Sequence, residues 1–300
     1  MQIDILLESG TNELEVMEFS IAGVSFGINV AKITEIMQYQ PVTPVPKSPP
    51  SIEGVFQPRD ILITVFNLVK YMGYKESENI SRDMFIITGF NKLHVAFHVH
   101  TVEGIHRIKW SDIEKPRQHE NSMVTGIAKF GGKLISIIDF EKIVADVSPE
   151  TGIKLSEVEA LGPRQRNNKP VVTADDSSLL KEMVRKALTI AGYTNIKSFS
   201  DGKETWDYLV SLRDKSVKNG TPLAKEVAAV ISDIEMPVMD GHRLTKLIKD
   251  DKVLRELPVI LFSSLIDEAM HIKGEELGAT AQLSKPEIGN LVTILDKHIL

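Results

Sequence analysis

Three hundred residues exceed the ~100–200 of a single domain, so two are expected. With 42% hydrophobic and 25% charged residues the composition is globular, and a net charge of −6 gives no general attraction for nucleic acid or anionic lipid. The lack of cysteine excludes disulfides, thiolate nucleophiles and Cys-ligated metals, and agrees with a reducing compartment.

The start, MQIDILLESGTNELEVMEF, has no basic region followed by an apolar stretch, and no run approaches the ~18 apolar residues of a membrane span. A cytoplasmic chain without direct membrane insertion is expected. From residue 17 to about 143 the pattern is of short apolar or alternating runs separated by turn residues, which predicts a mostly β half. MEFSI and VSFGI flank Ala22-Gly23 as a hairpin would, and DMFIITGF, LHVAFHV and KLISIIDF follow. VTPVPKSPPS carries four prolines and reads as an extended surface loop. GVFQPRDILITVFNL at 54–68 lies over GIAKFGGKLISIIDF at 126–140 without a gap, pairing Gly54 with Gly126 and Asn67 with Asp139. Such an echo implies two similar small β-subdomains, each too small to close a core well alone. His94, His98 and His100 share one strand face by their even spacing. They are a conceivable metal set, but an exposed sheet face with no acidic or cysteine partner nearby in sequence is the plainer reading.

After Ile143 the chain becomes polar, with a short helical stretch near Leu155–Leu161, and a linker is placed at 146–169. The domain expectation is thus 1–145, linker 146–169, and 170–300. In the last segment strand and helix alternate five times: VVTA, IKSF, AAVISDI, PVILFSS and ATAQLS are the strands. That order predicts a parallel sheet with helices on both faces.

Ligands of such sheets bind beyond the carboxyl ends of the strands. There the sequence places Asp175-Asp176, Asp233, Ser263-Ser264 and Lys285-Pro286. Each has a bland reading alone: an acidic pair before a helix is a cap, a Ser pair caps the next helix, and Lys-Pro is a loop. Their joint occurrence at different strand ends, in order, favours chemistry. Grouped carboxylates with no His or Cys call for a hard cation such as Mg²⁺. Beside it Asp233 is placed to attack phosphorus, Lys285 to pair the charge, and Ser263 to hydrogen-bond the phosphoryl group.

With these residues, 170–300 resembles a response-regulator receiver domain of flavodoxin-like (βα)5 fold. Asp233 stands within DIEMPVMDG, after the pair Asp175-Asp176 and before Ser263 and Lys285-Pro286. The resemblance implies a phosphohistidine donor on a sensor kinase and self-catalysed phosphorylation and dephosphorylation only. It further implies Mg²⁺ held by Asp176, Asp233 and the backbone carbonyl of Glu235, with Asp175 acting through water, and a Ser263 that moves inward. The position where many receivers carry an aromatic switch is Gln282, which puts such a switch in doubt.

The β half shows no helix-turn-helix and no concentrated basic face, so a transcription factor is not expected. Residues 15–145 resemble the CheW family of chemotaxis coupling proteins, built of two small five-stranded β-barrels. In IEGVFQPRDILITVFNL, Gly54, Val55, Arg59 and Leu68 match the family pattern, while Gln57, Pro58, Asp60, Thr64 and Asn67 depart from it. The order coupling domain then receiver is that of CheV-type coupling proteins. It implies partners in chemoreceptor cytoplasmic tips and the histidine kinase CheA, with Arg59 near the receptor contact, in arrays at the membrane. A Mg²⁺-dependent aspartate-nucleophile phosphohydrolase stays as the alternative, because Asp233-Ile-Glu235 resembles a D-x-D motif, and a coupling scaffold with an inert receiver is a third reading.

Overall fold

The computed structural model describes residues 13–90, 93–114, 123–148, 153–162, 165, 167–264 and 268–300. The chain divides into two compact units between residues 149 and 150.

The first unit is a β-repeat. β1 (Glu13–Ile21) and β2 (Val24–Asn29) form a hairpin closed by Ala22 and Gly23, both at positive φ (51° and 78°), as a two-residue turn matched to strand twist requires. β3 (Ile33–Gln38), β4 (Ile52–Phe56), β5 (Ile63–Asn67) and the short α1 (Leu68–Tyr71) complete the first repeat. The second runs through β6 (Met84–Phe90), β7 (Leu93–Val99), β8 (Thr101–Lys109), β9 (Ile113–Glu114), β10 (Val124–Phe130), β11 (Lys133–Ile138) and α2 (Phe140–Val147).

The repeats exchange strands. One sheet has the order β8-β1-β2-β11-β10-β9 and the other β3-β6-β7-β5-β4, so the hairpin opening each repeat pairs with the hairpin closing the other. Each sheet also closes on itself. β8 and β9 are the two edges of the first sheet, yet only residues 110–112 join them, a span of at most about 14 Å, so β9 continues β8 round a five-stranded barrel. In the other sheet Thr43, soon after edge strand β3, bridges to Val55 on the opposite edge.

The echo between 54–68 and 126–140 holds in three dimensions. The β4–β5 ladder shifts register between Ile52 and Gly54, and the β10–β11 ladder between Val124 and Gly126. Asn67 caps α1 by accepting from the Lys70 amide, and Asp139 caps α2 by accepting from the Lys142 amide. Each barrel has a small interior, Val16, Ile108, Ala128 and Ile135 in one and Phe56, Val65, Phe85 and Ile87 in the other. The larger core is shared between them. There Phe19, Phe66, Phe97 and Ile86 meet Leu68 of α1 and Phe140 and Ile143 of α2, with the Phe97 and Phe140 rings edge to face at 4.3 Å. Neither repeat buries that surface without the other.

His98 corrects the expectation of an exposed histidine face: it is 2% exposed. Its Nδ1 lies 2.7 Å from Glu53 Oε2 and its Nε2 2.9 Å from Asp83 Oδ2. Tyr39 and Asn67 donate to Glu53 as well, at 2.8 and 3.1 Å, and Ser77 donates to Asp83 at 2.6 Å. Burial alone would lower the His98 pKa, but the bonds and charges of Glu53 and then Asp83 raise it above its ordinary 6.5. Burial would likewise raise Glu53, yet His98 first, then Tyr39 and Asn67, hold it below its ordinary 4.5.

The second unit is a parallel sheet between helices. α3 (Leu155–Glu159) precedes β12 (Val171–Ala174), α4 (Ser178–Ile190), β13 (Ile196–Phe199), α5 (Gly202–Asn219) and β14 (Ala229–Ser232). α6 (Gly241–Asp250), β15 (Val259–Ser263), α7 (Glu268–Glu276), β16 (Ala281–Ser284) and α8 (Ile288–Ile299) follow. The strand order is β13-β12-β14-β15-β16, all parallel, and β12, β14 and β15 are buried along their whole length. Such strands are continuous apolar runs because helices cover both faces. One face packs α3, α4 and α8 around Leu180, Val184, Ile260 and Leu291, the other α5 and α6 around Leu209, Leu244 and Val230. The sheet order reverses at β12, which puts a crevice at the carboxyl ends of β12 and β14.

The buried His98 cluster makes a prediction about pH. His98 titrates higher folded than unfolded, so its stabilisation is complete below pH 6.5 and is lost as pH rises through the raised value. Glu53 titrates lower folded, so its share is present above pH 4.5 and is lost as pH falls through the depressed value. Urea unfolding followed by Trp110 in a Trp206→Phe background is expected to show an alkaline loss of stability that vanishes in His98→Gln, which itself costs about 3 kcal/mol. An alkaline limb unchanged by that substitution contradicts the assignment.

Candidate functional site

β12 and β14 run out together at the switch point, and the next residues of each carry the site. Asp175 and Asp233 are 5% and 4% exposed, and Asp176 stands exposed beside them. One carboxylate oxygen from each of Asp175, Asp176 and Asp233 lies within 4.8 Å of the others. From the end of β16 comes Lys285, 1% exposed, with Nζ 2.7 Å from Asp233 Oδ2 and 3.1 Å from Asp175 Oδ2. Buried charges persist only when paired and hydrogen-bonded, and this ammonium is fixed by two carboxylates. The other oxygen of Asp233, Oδ1, accepts the Ile234 amide at 2.7 Å. Ser263 ends β15 at 1% exposure, and Ser264 follows at 5%.

The geometry separates these roles from helix capping. The cap of α4 is Ser177, whose hydroxyl accepts from the Leu180 amide, while Asp175 Oδ1 accepts from the Ser177 amide at 2.9 Å. The acidic pair is therefore upstream of the cap, directed at the rim. Lys181 of α4 adds support from behind, donating to Ser200 Oγ at 2.7 Å and to the Asp175 carbonyl at 3.4 Å.

The loop after Asp233 is shaped by close backbone packing. Met236 and Met239 are 6% and 7% exposed, and between them the Met239 amide donates to the Pro237 carbonyl at 2.6 Å, a three-residue turn. Val238 at its centre has φ 65° and is nearly half exposed. A β-branched residue there is strained. Gly241 follows because a Cβ would run into the Asp233 carbonyl oxygen, and Asp240 caps α6 by accepting from the Arg243 amide at 2.7 Å. Nothing in the sequence marks Val238 as the strained position; the neighbouring Pro237 and Gly241 mark only that a turn is there.

Gln282 takes a role of its own. Its Nε2 donates to the His271 carbonyl of α7 at 2.6 Å, and Gly274 leaves room for its amide where a Cβ would collide. In the first unit Arg59, in the turn between β4 and β5, is 76% exposed along its side chain and pairs with Glu35 at 3.0 Å. It lies on a different unit from the acidic rim.

An all-oxygen set of clustered carboxylates fits a hard divalent cation, and the described residues contain no other such group. No helix among the described residues is long and apolar enough to cross a membrane.

Comparison with known proteins agrees with both halves. Residues 15–148 match the CheW-like domain and residues 171–296 the response regulator receiver domain. The chain is 33% identical over 294 residues to chemotaxis protein CheV3 of Helicobacter pylori, covering 91% of each. This chain belongs to the CheV family of chemotaxis proteins. Chemotaxis protein CheV1 of the same organism is 24% identical, over 91% of this chain and 89% of its own. Chemotaxis protein CheW of Thermotoga maritima is 28% identical over 49% of this chain and 98% of its own length. The β-repeat is thus a CheW-like all-β domain, and the parallel α/β unit is a receiver.

The strained turn makes the second prediction. Val238→Gly is expected to stabilise the receiver unit by about 1 kcal/mol, read from Trp206 fluorescence in urea with Trp110→Phe. A loss of stability would show that φ 65° costs nothing there.

Proposed function

We propose that this protein couples chemoreceptor cytoplasmic tips to the histidine kinase CheA, and that phosphorylation of Asp233 by phosphorylated CheA modulates that coupling. It acts as an adaptation element or a phosphate sink, in the cytoplasm, at receptor arrays. The observation that carries the reading is the carboxylate of Asp233 at the end of β14, one oxygen on a backbone amide and the other 2.7 Å from a buried lysine. An aspartate held so is oriented and next to the cation that will follow the charge.

The transfer balances as follows. An Asp233 oxygen forms a bond to phosphorus while the phosphorus–nitrogen bond of the phosphohistidine breaks, and the imidazole leaves with the electron pair. Lys285 shifts from the carboxylate to the phosphoryl oxygens, and Ser263 donates its hydroxyl to one of them. In the later hydrolysis, water bonds to phosphorus as the bond from phosphorus to the Asp233 oxygen breaks, the carboxylate leaves with the electron pair, and inorganic phosphate departs with the proton of the water. Asp176, Asp233 and the backbone carbonyl of Glu235, with Asp175 beside them, would hold Mg²⁺, which would supply charge neutralisation to the phosphoryl oxygens. This is self-modification and not turnover of an external substrate.

For the coupling domain, the repeat supplies a surface that sequence reasoning did not single out. Leu62 and Leu134 occupy equivalent positions in the two echoing hairpins and are 63% and 60% exposed. With Arg59 near the first of them, we assign these hairpin ends to contacts with CheA and receptor tips.

Asp233→Asn is expected to abolish phosphoryl transfer from phosphorylated CheA, and label persisting on another residue would refute the assignment. Asp176→Ala is expected to weaken Mg²⁺ binding at least about tenfold and slow labelling in proportion. Unchanged metal affinity, measured by Trp206 fluorescence or calorimetry, would return the acidic pair to a purely structural role.

A further inference from the structure

α3 lies ahead of the segment that matches a receiver, yet it belongs to the second unit. Five residues do not hold a helix in water, and Lys154 at its N-cap makes no side-chain hydrogen bond to it. What it touches forms it. Ile153 and Val158 are 5% and 1% exposed in one cluster with Leu180 and Val184 of α4 and Leu291 of α8. Glu157 lies over Gly289 in the first turn of α8, where an added Cβ would stand 3.4 Å from the Glu157 Cβ and 3.6 Å from its carbonyl oxygen.

This seat is built on the residues that follow the site lysine. Gly289 is in the first turn after Lys285-Pro286, and the intervening turn is knit tightly. The Ser284 amide donates to Glu287 Oε2 at 3.0 Å, the Glu287 amide to the Ser284 carbonyl at 2.8 Å, and the Ile288 amide to the Pro286 carbonyl at 2.9 Å. A displacement of Lys285 therefore carries the start of α8 with it. The other side of the contact is loosely filled, with an open cleft of about 500 Å³ between Ala160-Leu161 and Pro286–Asn290.

The geometry points to α3 as a releasable tether whose docking on α4 and α8 is controlled by the Lys285–Asp233 pair. The inference rests on the phosphoacceptor reading of Asp233. When Lys285 leaves the carboxylate for a phosphoryl group, the Pro286–Gly289 turn re-seats, α3 loses the support of Gly289, and a helix too short to persist alone melts. Docked, the receiver unit holds Ile153 and Val158. Released, it holds the chain from Asn167, whose amide donates to the Gly192 carbonyl and whose carbonyl accepts from the Thr194 amide. Phosphorylation thereby changes which residues ahead of β12 the receiver unit holds, while leaving the residues of the coupling domain itself unchanged.

The chain has no cysteine, which permits a direct test. In full-length Glu157→Cys/Gly289→Cys the two Cβ atoms fall close to the ~3.5–4.5 Å that a disulfide spans. Amide exchange of residues 153–161 is compared with and without beryllofluoride and Mg²⁺, in the oxidised double variant, in the same protein reduced with dithiothreitol, and in wild type. The expected result is exchange at least about tenfold faster with beryllofluoride in the wild type and reduced protein, and no change in the oxidised form. Val158→Asp is expected to exchange fast at 153–161 without beryllofluoride, and retained protection there overturns the inference. If residues 233–241 respond to beryllofluoride and 153–161 do not, the tether is overturned and the phosphoacceptor reading stands. If neither segment responds, the phosphoacceptor reading fails and takes the tether with it.

Discussion

The ammonium of Lys285, withdrawn from water to 1% exposure, has to be met by negative charge, and the receiver is arranged around that requirement. Asp233 and Asp175 supply it at 2.7 and 3.1 Å from the ends of two neighbouring parallel strands. Removing Lys285 would leave the buried carboxylates of Asp233 and Asp175 uncompensated, at a cost of about 3–5 kcal/mol. Asp175, Asp176 and Asp233 cluster beside this lysine, an all-oxygen set that fits a hard cation. On the proposed function, a phosphoryl group on Asp233 would draw the lysine away from its present position. Under the proposed function, a structural ion pair and a switch are one interaction.

The first unit meets a different constraint, that of small size. A barrel of five short strands encloses few side chains, and Phe56, Ile63, Val65, Phe85, Ile87 and Ala96 are the buried residues of one interior. Exchange of hairpins between repeats resolves this. Each barrel is built from both repeats, and both helices that end the repeats drive Leu68 and Phe140 into one shared core. Separating the barrels would expose that core, so the pair is expected to unfold as a unit, and Leu62 and Leu134 stand exposed on it.

Much of this was legible in the sequence where the information is local. Asp233, Lys285 and Ser263 sit where apolar runs of strand length end, and strand–helix alternation alone brings those ends to one rim. Gly54 with Gly126 and Asn67 with Asp139 showed the repeat because bulge glycines and helix caps are local needs. Pairing across the repeats was not legible: equivalence of two hairpins does not say which partner each takes. The strand Thr101–Lys109 was not legible either, because Gly104 and His106 take its less exposed positions while Ile105 is exposed. The burial of His98 is not legible in the sequence because its partners Glu53 and Asp83 lie 45 and 15 residues away. The docking of Ile153 and Val158 was hidden for the same reason, since their neighbours Leu180 and Leu291 are distant in the chain.

The central claim is that the state of Asp233 is transmitted to the CheW-like domain as a change in coupling. The most direct measurement is the activity of CheA in reconstituted complexes with receptor cytoplasmic tips and this protein, with and without beryllofluoride. The account predicts that beryllofluoride changes kinase activity with wild-type protein and leaves it unchanged with Asp233→Asn. Identical kinase activity with and without beryllofluoride, in wild-type complexes shown to have bound it, would contradict the account.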